Sequence, residues 1–167
     1  DTEAVSSRLF HDWALRTVAI KPYPICHFNH APVDAALALR QAQGLTPDKI
    51  ASVTIGLDER QFGVVVEPIE AKRAPQSEYD AKFSVPYAVA TALCKGRFTL
   101  ADLEDAARMD PEVLSLAQRI VCTHDERSHY PDAFSGGVKI ILTDGTELEQ
   151  FEAVNRGAEG QLLTAEQ

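Results

Sequence analysis

The spacing of apolar positions along this chain changes several times, and each change marks an element. Leu15, Thr17 and Ala19 alternate with Arg16, Val18 and Ile20 in a run with β-branched content, which predicts a strand. Lys21-Pro22-Tyr23-Pro24 must end it, because each proline lacks a ladder donor and holds the residue before it extended. Lys21 is therefore expected at the carboxyl end of a strand. From His30 to Gln43, Val33, Ala36, Leu37 and Ala38 mark the buried side of a helix, with Pro32 in its first turn and Gly44 as its stop. Thr46-Pro47 opens a short turn, and Ala51 to Leu57 is a strand with Val53, Ile55 and Leu57 on one side. Phe62 to Val66 reads as either a short strand or a loop anchored in the core. Glu67 to Gln76, with its charges, two prolines and no period, reads as an exposed loop.

The second half is plainer. Phe83, Tyr87, Ala90 and Cys94 share one face of a helix from Ser84 to Lys95, with Ser84 as N-cap, Pro86 in the first turn and Gly96 at the end. Thr99 and Asp102 form a capping-box pattern that opens a helix to about Arg108. Asp110-Pro111 opens another that ends near Arg119. Ile120 to Thr123 is a short strand. Gly137 to Thr143, the turn Asp144-Gly145, and Thr146 to Ala153 form a hairpin. Strands close the chain in a run, so the reading is α+β: a two-layer sandwich of a mainly antiparallel sheet with helices packed on one face. Residues 1–12 read as a lead-in, 13–157 as the domain and 158–167 as a polar tail, and the stretch after Val154 is expected to lack structure of its own.

Composition narrows the function. The 167 residues are 45% apolar and 25% charged, which is globular and long enough for a sizeable core. A net charge of -9 argues against a nucleic-acid binder or a basic membrane-surface protein. No apolar run approaches the roughly 20 residues of a membrane span, and no secretory signal is expected. Cys26, Cys94 and Cys122 stand far apart and leave an odd thiol, which suits a reducing, cytoplasmic setting. His27 and His30 lack a second ligand cluster at zinc-finger spacing, and His124, Asp125 and His129 read as a solvated loop, so no metal is expected. Met109 is the single methionine, and the chain reads as excised from something longer.

Three features point to an anion site. Lys21 is a cation on a proline-stiffened exit, and helices begin near Asn29-His30 and at Ser84. A helix start carries unpaired N–H groups and partial positive charge, which favour carboxylates and phosphates. Each residue also has a plain role open to it. Lys21 would serve as a solvated strand-end lysine, His30 as a backbone-bonded helix start and Ser84 as a cap. Tyr87 would be a core ring with a satisfied hydroxyl, and Cys26 a small buried apolar group. Neither a G-x-S-x-G elbow nor a glycine-rich phosphate loop is present.

Lys21-Pro22-Tyr23-Pro24-Ile25-Cys26, with His30 and Asp34-Ala35-Ala36-Leu37, resembles the KPYPxC…H…DA stretch of the MmgE/PrpD family. Ala81-Lys82-Phe83-Ser84-Val85-Pro86-Tyr87-Ala88-Val89-Ala90, followed by Ala92-Leu93 and Gly96, resembles its A-x-F-S-x-P-Y-A-x-A block. Asp110 to Ala117 and Thr143-Asp144-Gly145 add a weaker match. The blocks stand in family order over about residues 13–157. The family comprises 2-methylcitrate dehydratases and relatives, including cis-aconitate decarboxylase and iminodisuccinate epimerase.

The resemblance implies the smaller α+β domain of a two-domain lyase that works without metal or organic cofactor. It implies a small polycarboxylate as substrate and a large helical domain of the same chain as partner. The active site would lie between the domains, and the small domain alone would be inactive. The resemblance assigns catalytic roles to Lys21, His30 and Tyr87 and substrate contacts to Cys26 and Ser84. Some decarboxylase members carry histidine where Cys26 stands, so the cysteine favours dehydration of 2-methylcitrate, as in propionate catabolism. The competing reading is a non-catalytic module that binds a carboxylate or another protein. A homodimer is left open.

Overall fold

The structure is a computed structural model that describes residues 18–164. Four strands form its sheet: β1 (Ile50–Leu57), β2 (Ile120–His124), β3 (Gly136–Leu142) and β4 (Glu147–Glu152), in the order β2-β1-β3-β4. β1 runs parallel to β2 and antiparallel to β3, and β3 pairs antiparallel with β4. The sheet is thus mixed but mainly antiparallel, and the fold is α+β.

Period-two burial sets the sheet's inner face. Val53, Ile55 and Leu57 of β1 are fully buried, and their register partners Ile140 and Val138 of β3 and Ile120 of β2 join them. Two long helices cover this face. Helix α1 (His30–Gln43) lies against β3 and β4, and α5 (Val85–Lys95) packs on α1 and β2. A third, α7 (Pro111–Gln118), packs on α5. Pro32 occupies the first turn of α1, and Gly44, at φ +58°, closes it by donating to the Arg40 carbonyl. Ser84 caps α5 through a 3.0 Å bond from the Tyr87 N–H to its Oγ. The Arg40 guanidinium then ties the two helix ends together, donating to the Leu45 and Leu93 carbonyls at 2.6 and 2.9 Å.

Three departures from the sequence reading matter for the site. Residues 18–20 form no strand, and residues 15–17 lie outside the described residues; Ile20 instead donates one bond to the Gly157 carbonyl at 2.8 Å. Lys21 therefore follows an irregular segment pinned at one point.

Residues 58–82 are not strand and loop. They fold into a 3-10 turn and the short helices α2 (Phe62–Val65), α3 (Ile69–Arg73) and α4 (Glu78–Lys82). Val66 and Glu67 both donate to the Phe62 carbonyl, so the valine run turns helically. The stretch read as an exposed loop is held inward. The Arg73 guanidinium donates twice to the Ile120 carbonyl, and Lys72 Nζ donates to the Val64 and Phe83 carbonyls at 2.7 Å.

The capping box at Thr99 and Asp102 opens a 3-10 turn, Leu100–Leu103, before a one-turn helix α6 (Asp105–Arg108), rather than one continuous helix.

Candidate active site

The Lys21-Pro22-Tyr23-Pro24-Ile25-Cys26 segment bends back on itself ahead of α1. Lys21 Nζ donates to the Ile25 carbonyl at 3.2 Å, and His30 Nε2 meets the same oxygen at 3.4 Å. A carbonyl only accepts, so Nε2 carries the His30 proton and Nδ1 keeps its lone pair. His30 Nδ1 is buried and has no protein partner among the described residues. Burial above all, then the neighbouring His27, pushes the His30 pKa down to about 4. His27 is also shifted down, by burial and then by the Lys21 charge. Both rings are neutral bases at pH 7. Their centroids lie 4.9 Å apart, and His27 stacks on Phe134 at 4.4 Å.

Cys26 joins the loop to the second helix start: its N–H donates to the Lys82 carbonyl at 2.8 Å, two residues before Ser84. Asn29, the residue preceding α1, donates its Nδ2 to the same carbonyl at 3.3 Å rather than capping its own helix. Burial raises the Cys26 thiol pKa, against weaker lowering by Lys21 and Lys72. Its thiol is a neutral contact there, not a nucleophile. Ser84 Oγ accepts from Tyr87 and donates to the Lys72 carbonyl. Tyr87 is fully buried, donates its hydroxyl to the Asp102 carbonyl at 2.5 Å and meets Phe98 edge-on; burial lifts its pKa to about 12.

The structure thus brings Lys21 and His30 together on one carbonyl and links Cys26 to the start of α5. No hydrogen bond or ring contact among the described residues joins Tyr87 to Lys21 or His30. Both polar functions of Ser84 are engaged.

Sequence reasoning passed over Lys72, Asn155 and Arg156 at this site, and it weighed His27 only as a metal ligand and Asn29 only as part of a helix start. Asn155 is buried and donates to His27 Nε2 at 3.0 Å. Arg156 donates from Nε to Asp34 Oδ1 at 2.7 Å and from its backbone to Asp34 Oδ2 at 2.9 Å, while Tyr23 donates to Asp34 Oδ1 at 2.7 Å. His27 and Asn29 lie inside the motif segment, between Cys26 and His30, and were legible there. Asn155 and Lys72 gave no local signal.

A cleft of about 890 Å³ runs beside α1 and meets this cluster only at Tyr23, Asp34 and Arg156. Its arginines, Arg40, Arg97 and Arg156, are each committed to carbonyls or carboxylates of the protein. No group of three or more His, Cys, Asp or Glu side chains placed to hold a metal occurs among the described residues. None of the described helices is long and apolar enough to cross a membrane.

A cation, two neutral imidazoles and a helix start at one loop suit an anion with hydroxyl or carboxyl groups. The family model of the MmgE/PrpD C-terminal domain matches residues 23–166. The chain belongs to the MmgE/PrpD C-terminal domain family. Its curated relatives include 2-methylcitrate dehydratases of Escherichia coli K12 and of Cupriavidus necator, each 29% identical over 86% of this chain. Another, from Salmonella typhimurium, is 29% identical over 83%. The chain spans 31% of the length of the first two and 30% of the third. The matched span takes in Tyr23-Pro24-Ile25-Cys26 and the start of α5, and the fold sets these two segments side by side.

Proposed function

We propose that this chain is the small domain of a lyase that dehydrates 2-methylcitrate or a closely similar small polycarboxylate, and that it supplies half of a site completed by a helical domain. The observation that carries this reading is the convergence of Lys21 and His30 on the Ile25 carbonyl. Dehydration needs a base for a C–H proton next to a carboxylate, an acid for the departing hydroxyl, and cations for the anionic transition state. Lys21 would pair with a substrate carboxylate. His30, neutral and fully buried, would hold the Ile25 carbonyl beside Lys21, and a substrate contact at its Nδ1 would require the loop to open. Cys26 would line the same loop. Ser84 and Tyr87 would hold the start of α5, and a proton relay through Tyr87 would require its bond to Asp102 to open. The three free thiols support a cytoplasmic setting.

The test is a substrate screen of the longer parent protein with 2-methylcitrate, cis-aconitate and iminodisuccinate, in wild type and Lys21→Ala. Lys21→Ala should lower kcat/KM by about 2–5 kcal/mol of transition-state stabilisation, the range for a lost charged contact. Near-normal turnover in that variant would remove Lys21 from the reaction. The 167-residue chain alone should show no dehydration, because a half-site forfeits positioning.

A further inference from the structure

Three consecutive residues, Asn155, Arg156 and Gly157, hold the Lys21 loop at its end, middle and start. Asn155 meets His27, Arg156 meets Tyr23 and Asp34, and Gly157 accepts from Ile20. Arg156 also lies over the Tyr23 ring at 5.4 Å. A side chain at Gly157, whose φ is +84°, would collide with the Ile20 carbonyl.

The Asn155 contact fixes more than position. Its Nδ2 also donates to the Arg156 carbonyl at 2.8 Å. That carbonyl only accepts, so the amide must face it with its NH2 and not its oxygen. The same NH2 then faces His27 Nε2, which must be the acceptor. The His27 proton is thereby left on Nδ1, which has no hydrogen-bond partner among the described residues.

We propose that Asn155 is a positioning residue that holds His27 in the Nδ1–H tautomer, so that His27 offers a second hydrogen-bond donor to a carboxylate drawn to Lys21. His27 is half-buried, in the field of Lys21, stacked on Phe134 and tilted against His30. A charged imidazolium is disfavoured there, so the donor comes from the tautomer and not from protonation. The donor role rests on the reading of Lys21 as an anion site. The tautomer does not.

Nitrogen-15 imidazole correlation spectra of the protein near pH 7 test both parts. His27 should show a protonated Nδ1 and an unprotonated Nε2. In Asn155→Ala that preference should be lost. In Asn155→Asp, which keeps the shape but presents only acceptors, Nε2 should become protonated. A wild-type spectrum with the proton on Nε2 overturns the proposal whether or not either variant folds, and so does a tautomer unchanged in both variants. Adding citrate should move the His27 Nδ1–H resonance in wild type and not in Lys21→Ala. Movement of Lys21 resonances with His27 still would overturn the donor role while leaving the anion site in place. Silence at both residues would remove the anion site and the donor together.

Discussion

Lys21 Nζ and His30 Nε2 share a single acceptor, the Ile25 carbonyl, at 3.2 and 3.4 Å. A cation and a neutral imidazole are thereby locked edge to edge across a tight loop. The cost of protonating His30 in this setting makes folding sensitive to acid.

The His30 pKa is lowered to about 4, so between that value and its ordinary 6.5 the unfolded chain binds more protons than the folded one. Stability should therefore rise with pH through this window and fall as pH drops from about 6.5 to 4. The lowered His27 acts in the same direction. The His30 share is about 3 kcal/mol by linkage. Urea unfolding at a series of pH values should show that loss, and His30→Gln should flatten it. A slope unchanged in His30→Gln would assign the acid sensitivity elsewhere.

Asp34 is buried and is held by Tyr23 and Arg156, whose own side chain is 38% exposed. Burial, and next the Asp34 charge, push the Tyr23 phenol pKa above its ordinary value, so it remains a donor. Removing the half-exposed donor strands a buried carboxylate, whereas removing the acceptor leaves an arginine that can turn to solvent. Arg156→Ala should lose about 3 kcal/mol and Asp34→Ala no more than that. Chemical denaturation measures both, and a much smaller loss in Arg156→Ala than in Asp34→Ala would show that the buried carboxylate does not depend on the guanidinium.

Gly96 ends α5 at φ +69°, and a Cβ there would lie 2.9 Å from Arg40 Nε. Gly96→Ala should destabilise by about 1–3 kcal/mol from backbone conformation alone, with the arginine clash on top. Combining it with Arg40→Ala should cost less than the sum of the two single changes. Strict additivity in melting or urea midpoints would show that the guanidinium does not feel the glycine.

Tyr87→Phe removes the 2.5 Å bond to the Asp102 carbonyl without changing the packing of the ring against Phe98. It should lower stability by about 1–2 kcal/mol, since a buried carbonyl loses its partner. In the longer parent protein, a kcat reduced far beyond what that destabilisation explains would support a proton relay. An unchanged kcat would leave Tyr87 as a packing residue.

Much of this fold could be read in advance because its signals are local. Pro32 and Gly44 bracket α1, Ser84 and Gly96 bracket α5, and Asp144-Gly145 closes the hairpin within a residue or two of the observed bounds. The short helices between Phe62 and Lys82 escaped, since four or five residues cannot display a 3.6-residue period. The alternation before Lys21 suggested a strand, but at residues 18–20 the backbone makes one cross-chain bond and no ladder. At the site, Lys21 and His30 sit nine residues apart on one motif and were legible together. Asn155 reaches His27 across 128 positions, and Lys72 reaches the start of α5 from a stretch without period. No spacing rule encodes such meetings, because chain topology alone decides them.

The bond from Ile20 to Gly157 has a consequence beyond the loop it anchors. It sets two points 137 positions apart in the chain side by side at one rim of the described fold. A cassette with adjoining seams can be spliced into a host polypeptide without prying the host apart, and it can be cut and rejoined elsewhere on its rim with little penalty.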